Sequence, residues 1–127
     1  MTPTACPCGS GPTYSECCEP FHLGAPVPTA VALMRSRFSA FALGLAPYLG
    51  LSWHPSTRPT ALELDPDVTW RRLQIVDVVA GGTEDADGVV EFRASFRGPE
   101  GAGVLHERSR FTRDQGRWRY VEGDIQE

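Results

Sequence analysis

The sequence predicts an α+β fold class, with a short cysteine-rich knuckle at the N-terminus and helices packed on a four-stranded antiparallel sheet. All four cysteines fall within residues 6–18. Apolar residues then recur every three or four positions over residues 29–43, the periodicity of a helix with one buried face. From residue 69 onward, apolar and polar residues alternate in segments separated by glycine-containing turns, which predicts strands. Helices that precede a run of strands are typical of the α+β class.

Composition narrows the classes of function. The 127 residues suit one domain plus a small appendage. The formal net charge is −4 and all 12 positive side chains are arginine, so we do not expect non-specific nucleic-acid binding, which depends on neutralising phosphates. No apolar run approaches the ~20 residues that span a bilayer, so we expect no membrane association. Residues 1–5 contain no basic residue and no apolar run follows them, so we expect no secretory signal and a cytoplasmic protein with reduced thiols.

The cysteine cluster predicts a metal site. The spacing C-x-C-x8-C-C supplies four thiolates, which is the closed tetrahedral shell that structural zinc prefers. The four predicted ligands are Cys6, Cys8, Cys17 and Cys18. Gly9 and Gly11 permit the sharp turn that brings the two pairs together. One structural zinc ion per chain is therefore the predicted cofactor, and the alternatives are disulfides, a redox site, or His22 in place of one thiolate.

A long helix is expected first. It covers residues 29–43, with Thr29 as its N-terminal cap and Gly44 as its stop. Its apolar face consists of Ala30, Met34, Phe38 and Phe41. This face is expected to lie on the core of the domain.

A shorter helix and an ordered loop follow. The second helix carries Pro47 in its first turn, where proline is tolerated. Pro55 and Pro59 then exclude a regular element over residues 53–59. Residues 60–67 are expected to form a connector or one more helical turn.

Four strands are expected in the second half of the chain. Their ranges are 70–79, 89–97, 104–113 and 117–122. The second strand alternates strictly, with Phe92 on one face and Arg93 on the other, as a half-buried strand does. Residues 114–116, Asp-Gln-Gly, read as a hairpin turn. The result is an antiparallel meander.

Glu107 is the most informative residue outside the cysteines. In the third strand, the period of two places it on the same face as Leu105 and Phe111, which mark the core side. A buried carboxylate must be paired or hydrogen-bonded. Its candidate partners are Arg35, Arg37, Trp53 and His54. The two arginines diverge by about 200° around a helix, so only one of them is expected to face Glu107.

These residues permit two interpretations. In the first, they form a ligand pocket in which His54 acts as a general base oriented by Glu107. The apolar walls of this pocket would come from Phe38, Phe92 and Trp118. In the second, Glu107 and an arginine tie helix to sheet, Trp53 belongs to the core, and His54 caps a turn.

A basic hairpin at the C-terminal end raises the alternative of nucleic-acid binding. Aromatic residues interleave with its five arginines, which are Arg108, Arg110, Arg113, Arg117 and Arg119. However, Arg108 and Arg110 alternate away from the core, as the residues of any solvated strand face do. Nearby acidic residues, among them Glu91, Asp114 and Glu122, are expected to offset the charge.

The cysteine motif, Cys6-Pro-Cys-Gly-Ser-Gly11 with Cys17-Cys18, resembles the SEC-C zinc motif. That motif is named for the C-terminal tail of the bacterial secretion ATPase, where it docks partners. The resemblance implies structural zinc and a protein partner at the knuckle. The tail of the ATPase is rich in lysine, whereas this chain contains no lysine.

Four further segments resemble the bacterial YchJ-like proteins. They are Pro20-Phe21-His22, residues 33–41 (LMRSRFSAF), residues 53–59 (WHPSTRP) and residues 106–111 (HERSRF). The resemblance implies a nuclear transport factor 2 (NTF2)-like domain over residues 23–127, after a knuckle over residues 1–22. This fold is a curved sheet wrapped around helices to form a cone with an internal pocket. It often dimerises through its sheet, which makes a homodimer a further expectation.

The expected function is that of a zinc-binding protein that acts as a protein-interaction or small-ligand binding module. The alternative is a small-molecule enzyme that uses His54 and Glu107 in the cone. Because the NTF2-like fold hosts both enzymes and binding modules, the fold alone does not decide between them.

Overall fold

The computed structural model describes residues 4–126 and confirms an α+β architecture. A 3-10 turn, Tyr14–Glu16, precedes three helices, which are α1 (Glu19–His22), α2 (Ala30–Leu43) and α3 (Ala46–Leu51). The strands are β1 (Thr69–Ala80), β2 (Asp87–Gly98), β3 (Gly101–Asp114) and β4 (Arg117–Ile125). They form one antiparallel sheet in the order β1-β2-β3-β4, which is the expected meander. No helix within residues 4–126 is long and apolar enough to cross a membrane.

Helix α2 begins and ends where the sequence predicts. The Thr29 hydroxyl accepts a hydrogen bond from the Ala32 amide at 3.1 Å, and Gly44 ends the helix in the left-handed conformation at φ 74°. One side of α2 packs on the sheet, where Phe38 joins the core beside Phe92. The other side is also buried, because the knuckle packs against it. Helix α2 therefore lies between the two parts of the molecule.

The segments around α2 differ slightly from the prediction. Helix α1 was not expected, because four residues are too few to show a helical period. Residues 60–67 form a connector without a helical turn. The loop before it is anchored to the sheet, since the His54 amide donates to the Tyr120 carbonyl at 2.7 Å.

The strands extend further than their alternation suggests. Strands β2 and β3 continue to a two-residue turn, so Gly98 pairs with Gly101. Strand β4 continues past Glu122 to Ile125. Register shifts interrupt the pairing between Trp70 and Arg72 and between Ile75 and Asp77 in β1, and between Arg110 and Phe111 in β3. Such bulges bend a sheet, and here they curve it around α2.

The outer face of the sheet is charged and internally balanced. Arg108 donates to Glu91 at 2.9 Å and to Asp77 at 3.0 Å. Arg110 pairs in the same way with acidic residues of β4, Glu122 at 2.6 Å and Asp124 at 2.8 Å. Glu91 and Glu122 thus offset Arg108 and Arg110 as expected, whereas Asp114 makes no ion pair within residues 4–126.

Candidate metal centre and ligand cavity

The four cysteines come together as the spacing predicts. Their sulfur atoms all lie within 4.8 Å of one another, and none is in a disulfide. The turn between the pairs passes through Gly9 at φ 75° and Gly11 at φ 118°, conformations that other residues rarely adopt. A tetrahedral shell with Zn–S of about 2.3 Å places sulfurs about 3.8 Å apart. The observed separations of 3.6 Å for Cys8–Cys17 and 3.9 Å for Cys17–Cys18 fit such an ion.

The thiols of this cluster compete for protons. A hydrogen bond from the Cys18 thiol lowers the pKa of Cys8 to about 4, although burial opposes the shift. The same hydrogen bond, followed by burial, raises the pKa of Cys18. Burial also raises the pKa of Cys17. One sulfur is thus a stabilised thiolate, and a cation at the centre is what would favour ionisation of the others.

Helix α2 holds the knuckle through polar contacts. The Ser39 hydroxyl donates to Cys18 Sγ at 3.3 Å and lies 3.4 Å from Cys6 Sγ. Arg35 Nη1 donates to the Cys8 carbonyl at 3.1 Å. Residues 35 and 39 are one turn apart and therefore share a face of α2. This face supports the sulfur cluster, so the knuckle packs against α2.

His22 belongs to the same contact and not to the metal shell. Its Nε2 donates to the Ser36 carbonyl at 2.8 Å, which leaves Nδ1 to accept from the Tyr14 hydroxyl at 2.7 Å. Both ring nitrogens are therefore engaged. His22 ties the knuckle to α2, and the alternative of a histidine ligand is not supported.

A cavity of about 180 Å³ lies between α2 and the inner face of the sheet. Its walls are mainly apolar and aromatic. Its lining residues are Met34, Arg37, Phe38, Phe41, Trp53, Trp70, Phe92, Ala94, Leu105, Glu107 and Tyr120. Two charged side chains, one of each sign, are set in these walls. Small-molecule sites typically combine apolar walls with a few polar groups in this way.

Arg37 is the arginine that faces the cavity. It is 3% exposed, and its Nη1 donates to the Leu49 carbonyl at 2.9 Å and to Ser52 Oγ at 2.6 Å. Its guanidinium carbon lies 5.0 Å from the ring centroid of Trp53 and 4.6 Å from that of Tyr120. Burial lowers the pKa of Arg37 to about 10, so the side chain is still charged at neutral pH. The cavity thus contains a cation stacked on two aromatic rings.

Glu107 points inward, as the strand alternation predicts. One of its oxygens accepts from the Ser109 hydroxyl at 2.9 Å. The rest of the carboxylate lies over Gly123, where a Cβ atom would be 2.6 Å from Glu107 Cδ. The absence of a side chain at Gly123 is therefore what gives Glu107 its place at the cavity wall.

Trp53 and Tyr120 complete the polar part of the cavity. Their rings meet edge to face at 5.1 Å. The Trp53 indole nitrogen is buried and has no hydrogen-bond partner among residues 4–126. Burial, and then the negative charge of Glu107, raises the pKa of Tyr120 to about 12. Trp53 is therefore a buried donor without an acceptor, and Tyr120 is a phenol that stays neutral.

Three residues proposed for the pocket lie elsewhere. His54 turns back on its own loop, where its Nδ1 accepts from the Ser56 hydroxyl at 2.8 Å, so the expected pairing with Glu107 is not formed. Trp118 is core, and its indole nitrogen donates to the Pro28 carbonyl at 3.1 Å. Arg35 lies on the knuckle side of α2. The structure brings together Arg37, Phe38, Trp53, Phe92 and Glu107 and separates Arg35, His54 and Trp118 from them.

Sequence reasoning missed Tyr120, Trp70, Ser39 and Gly123. Alternation in the fourth strand could have placed Tyr120 with Trp118 on the inner face. The separation of Ser39 from Arg35 by one helical turn could also have placed these two residues on one face of the helix. Nothing local identifies Gly123, because its role depends on a residue 16 positions away in sequence on the neighbouring strand.

Comparison with family models agrees with this architecture. The model of the SEC-C motif matches residues 4–20. The model of the YchJ middle NTF2-like domain matches residues 29–123. The first range contains the sulfur cluster, and the second contains α2, the cavity and the sheet.

Similar proteins match along nearly the whole chain. A UPF0225 protein of Streptomyces coelicolor is 50% identical over 126 residues, covering 98% of both chains. Another, of Chromobacterium violaceum, is 53% identical over 125 residues, covering 94% of this chain and 91% of its own. The solution structure of a SEC-C motif containing protein from Rhodopseudomonas palustris has a TM-score of 0.83 at 32% identity, covering 96% of this chain and 98% of its own. A crystal structure of a SEC-C motif containing protein from Psychrobacter arcticus has a TM-score of 0.77 at 25% identity, covering 96% and 82%.

Proposed function

The chain belongs to the UPF0225 family, with a SEC-C motif and a YchJ-type NTF2-like domain, and on this basis we propose that it is a small-molecule-binding protein with a structural zinc knuckle. The observation that carries the proposal is the cavity of about 180 Å³ in which Arg37 and Glu107 stand among aromatic walls. An engineered apolar cavity of about 150 Å³ accepts benzene. This cavity therefore has room for a ligand built on one aromatic ring.

The zinc part of the proposal rests on the four sulfurs. Cys6, Cys8, Cys17 and Cys18 would hold the ion, and four thiolates leave no open position for a reacting water molecule. The ion would supply folding free energy to the knuckle and no reaction chemistry. Binding chemistry would then belong to the cavity alone.

The geometry favours binding over the acid–base alternative. Glu107 accepts from Ser109, while His54 lies in the loop with Ser56 and does not line the cavity. A general base and its orienting group must be within hydrogen-bond reach of each other, and these two side chains are not. Docking of a protein partner on the knuckle and formation of a homodimer stay predictions.

Filling the cavity tests the proposed function. Ala94 is 2% exposed and lines the cavity, so Ala94→Leu occupies part of its volume. We expect the wild-type protein to be stabilised against heat by members of a panel of single-ring aromatic metabolites, and the variant to lose that stabilisation. Ala102→Leu, at an exposed position of β3, is the matched control and should keep it. Equal stabilisation of the Ala94→Leu and wild-type proteins would contradict the proposal.

A further inference from the structure

Arg37 carries a buried charge without a counter-ion. It is 3% exposed, yet no carboxylate oxygen of the described residues lies within 4.0 Å of its guanidinium nitrogens. Burying a charge is costly unless the charge is paired. Arginine is almost never fully buried without such a partner. The domain thus maintains a cation beside the cavity that contacts two aromatic rings and interacts with Glu107 only at a distance.

Two residues that line the cavity have hydrogen-bond donors without a partner among the described residues. The hydrogen bonds that Arg37 makes within residues 4–126 all come from Nη1, so Nε and Nη2 remain for another acceptor. The Trp53 indole nitrogen is buried without a partner, and the Trp53 ring lies 5.0 Å from the Arg37 guanidinium carbon. A buried donor that is left unsatisfied destabilises the fold. A ligand acceptor that reached both donors would relieve both residues.

The remaining walls define the body of the ligand. Phe38, Phe92 and Trp70 supply aromatic surface around a volume suited to one ring. Glu107 stands in the same cavity, so a second negative charge on the ligand would be repelled. The favoured ligand is therefore apolar except for one anionic acceptor.

We propose that the cavity binds a small aromatic monocarboxylate, with its carboxylate accepting hydrogen bonds from the Arg37 guanidinium and the Trp53 indole. This inference rests on the proposed small-molecule-binding function and names its ligand class. A planar carboxylate matches the fork of guanidinium donors better than a neutral carbonyl does. The carboxylate also provides the counter-ion that Arg37 lacks.

Four probes that share one ring test the charge preference. They are benzoate, benzamide, benzylamine and toluene, titrated into the 15N-labelled full chain. The indole N–H signal of Trp53 reports binding, and that of Trp118, which donates to the Pro28 carbonyl, serves as the internal reference. We expect benzoate to bind about tenfold more tightly than benzamide, the ratio that one charge-assisted hydrogen bond represents. Benzylamine should bind most weakly. The signals of Trp53 and Trp70, which line the cavity, should move, and that of Trp118 should not.

Substitutions of Trp53 and Arg37 test the contribution of each donor to binding. Trp53→Phe keeps an aromatic ring and removes the indole donor, so its binding is followed by the backbone amide signal of Ala94, which lines the cavity. Benzoate should bind about tenfold more weakly to this variant, while toluene binding is unchanged. Arg37→Met should abolish the preference for benzoate over benzamide, and Arg37→Lys should restore part of it. If Arg37→Met does not fold, Trp53→Phe still decides the assignment.

The outcomes distinguish this inference from the proposed function. If toluene or benzamide binds at least as tightly as benzoate, the anionic assignment is overturned and small-molecule binding stands. If benzylamine binds best, Glu107 is the recognising group and the assignment is equally overturned. If none of the four probes moves the Trp53 signal, both the inference and the cavity-binding function are overturned.

Discussion

The knuckle and the cavity lie on opposite sides of α2 and treat their polar groups differently. In the knuckle, four sulfurs surround one point and contact one another, Ser10 and Ser39. In the cavity, Arg37 lacks an ion pair and the Trp53 indole lacks an acceptor among the described residues. The knuckle is a closed arrangement that needs only a cation. The cavity is an open arrangement whose donors point to a further molecule.

Helix α2 supports both regions through different residues. Arg35 and Ser39 face the sulfur cluster, whereas Arg37 and Phe38 face the cavity. Because each face packs against a different part of the molecule, a substitution on one face should mainly change the stability of the part that it contacts. If the two parts are independent, a single substitution should change the knuckle or the cavity but not both.

Removal of one sulfur ligand is expected to have the largest effect. Cys8 is fully buried, and Cys8→Ser leaves three thiolates for the metal. Structural zinc contributes on the order of 10 kcal/mol in zinc-finger peptides, so this variant should lose its metal and unfold residues 4–20. Native mass spectrometry measures the metal content, and hydrogen exchange measures protection of the knuckle.

The control for Cys8→Ser is Ser15→Ala, an exposed change within the same knuckle. It should retain one metal ion per chain and full protection. A Cys8→Ser protein with a protected knuckle and no metal would show that the sulfur cluster packs as an ordinary apolar core.

Ser39→Ala is expected to have a smaller effect on the same region. The Ser39 hydroxyl contacts the sulfurs of Cys6 and Cys18 from α2. Outer-shell partners of this kind change metal affinity roughly tenfold to hundredfold. Competition with a chromophoric chelator measures this loss. Ser36→Ala is the matched control, because the Ser36 hydroxyl bonds Tyr48 and the Leu33 carbonyl but none of the sulfurs. Equal affinity of the two variants would contradict a role for Ser39 at the metal centre.

The same contrast explains what the sequence could and could not predict. The knuckle was predictable because its four ligands fall within 13 residues and its turn glycines lie between them. The helix and the inward direction of Glu107 were predictable because each follows a local period. The choice between Arg35 and Arg37 was not, since it depends on which face of α2 the knuckle covers.

Two errors at the cavity have the same physical origin. His54 follows Trp53 in sequence, but the loop turns there and directs the histidine to Ser56 while Trp53 meets Tyr120. The fourth strand was expected to end at Glu122. It continues to Ile125 because residues 123–125 pair with residues 107–109 of β3. Contacts between distant segments decided both cases.

Gly123→Ala should disturb the cavity without disturbing the knuckle. The new methyl group would lie 2.6 Å from Glu107 Cδ and 2.7 Å from Oε1, so the carboxylate must move and its bond to Ser109 must lengthen or break. We expect a loss of about 1 kcal/mol in stability and weaker binding of toluene, with unchanged metal content. Urea unfolding and probe titration measure the two effects.

Gly50→Ala, where no atom would lie within 4 Å of the new Cβ, is the control and should be neutral or stabilising. Unaltered toluene affinity in Gly123→Ala would contradict the placement of Glu107.

The smallest effect at neutral pH is expected for Tyr120→Phe, whose effect on stability should appear only in alkali. Burial and Glu107 raise the pKa of Tyr120 to about 12, whereas an unfolded chain ionises its tyrosines near 10. The unfolded state therefore loses its proton first, and the stability associated with Tyr120 is lost as pH rises from about 10 to about 12.

The knuckle should lose its metal at acid pH, because protons displace metal ions from thiolates. Urea unfolding at several pH values then separates the two regions. Tyr120→Phe should match wild type within about 0.5 kcal/mol at neutral pH and should lose less stability in alkali, while acid release of metal stays unchanged. An equal loss of stability in alkali for both proteins would show that ionisation of Tyr120 does not cause that loss. A shifted acid release would show that α2 couples the two regions after all.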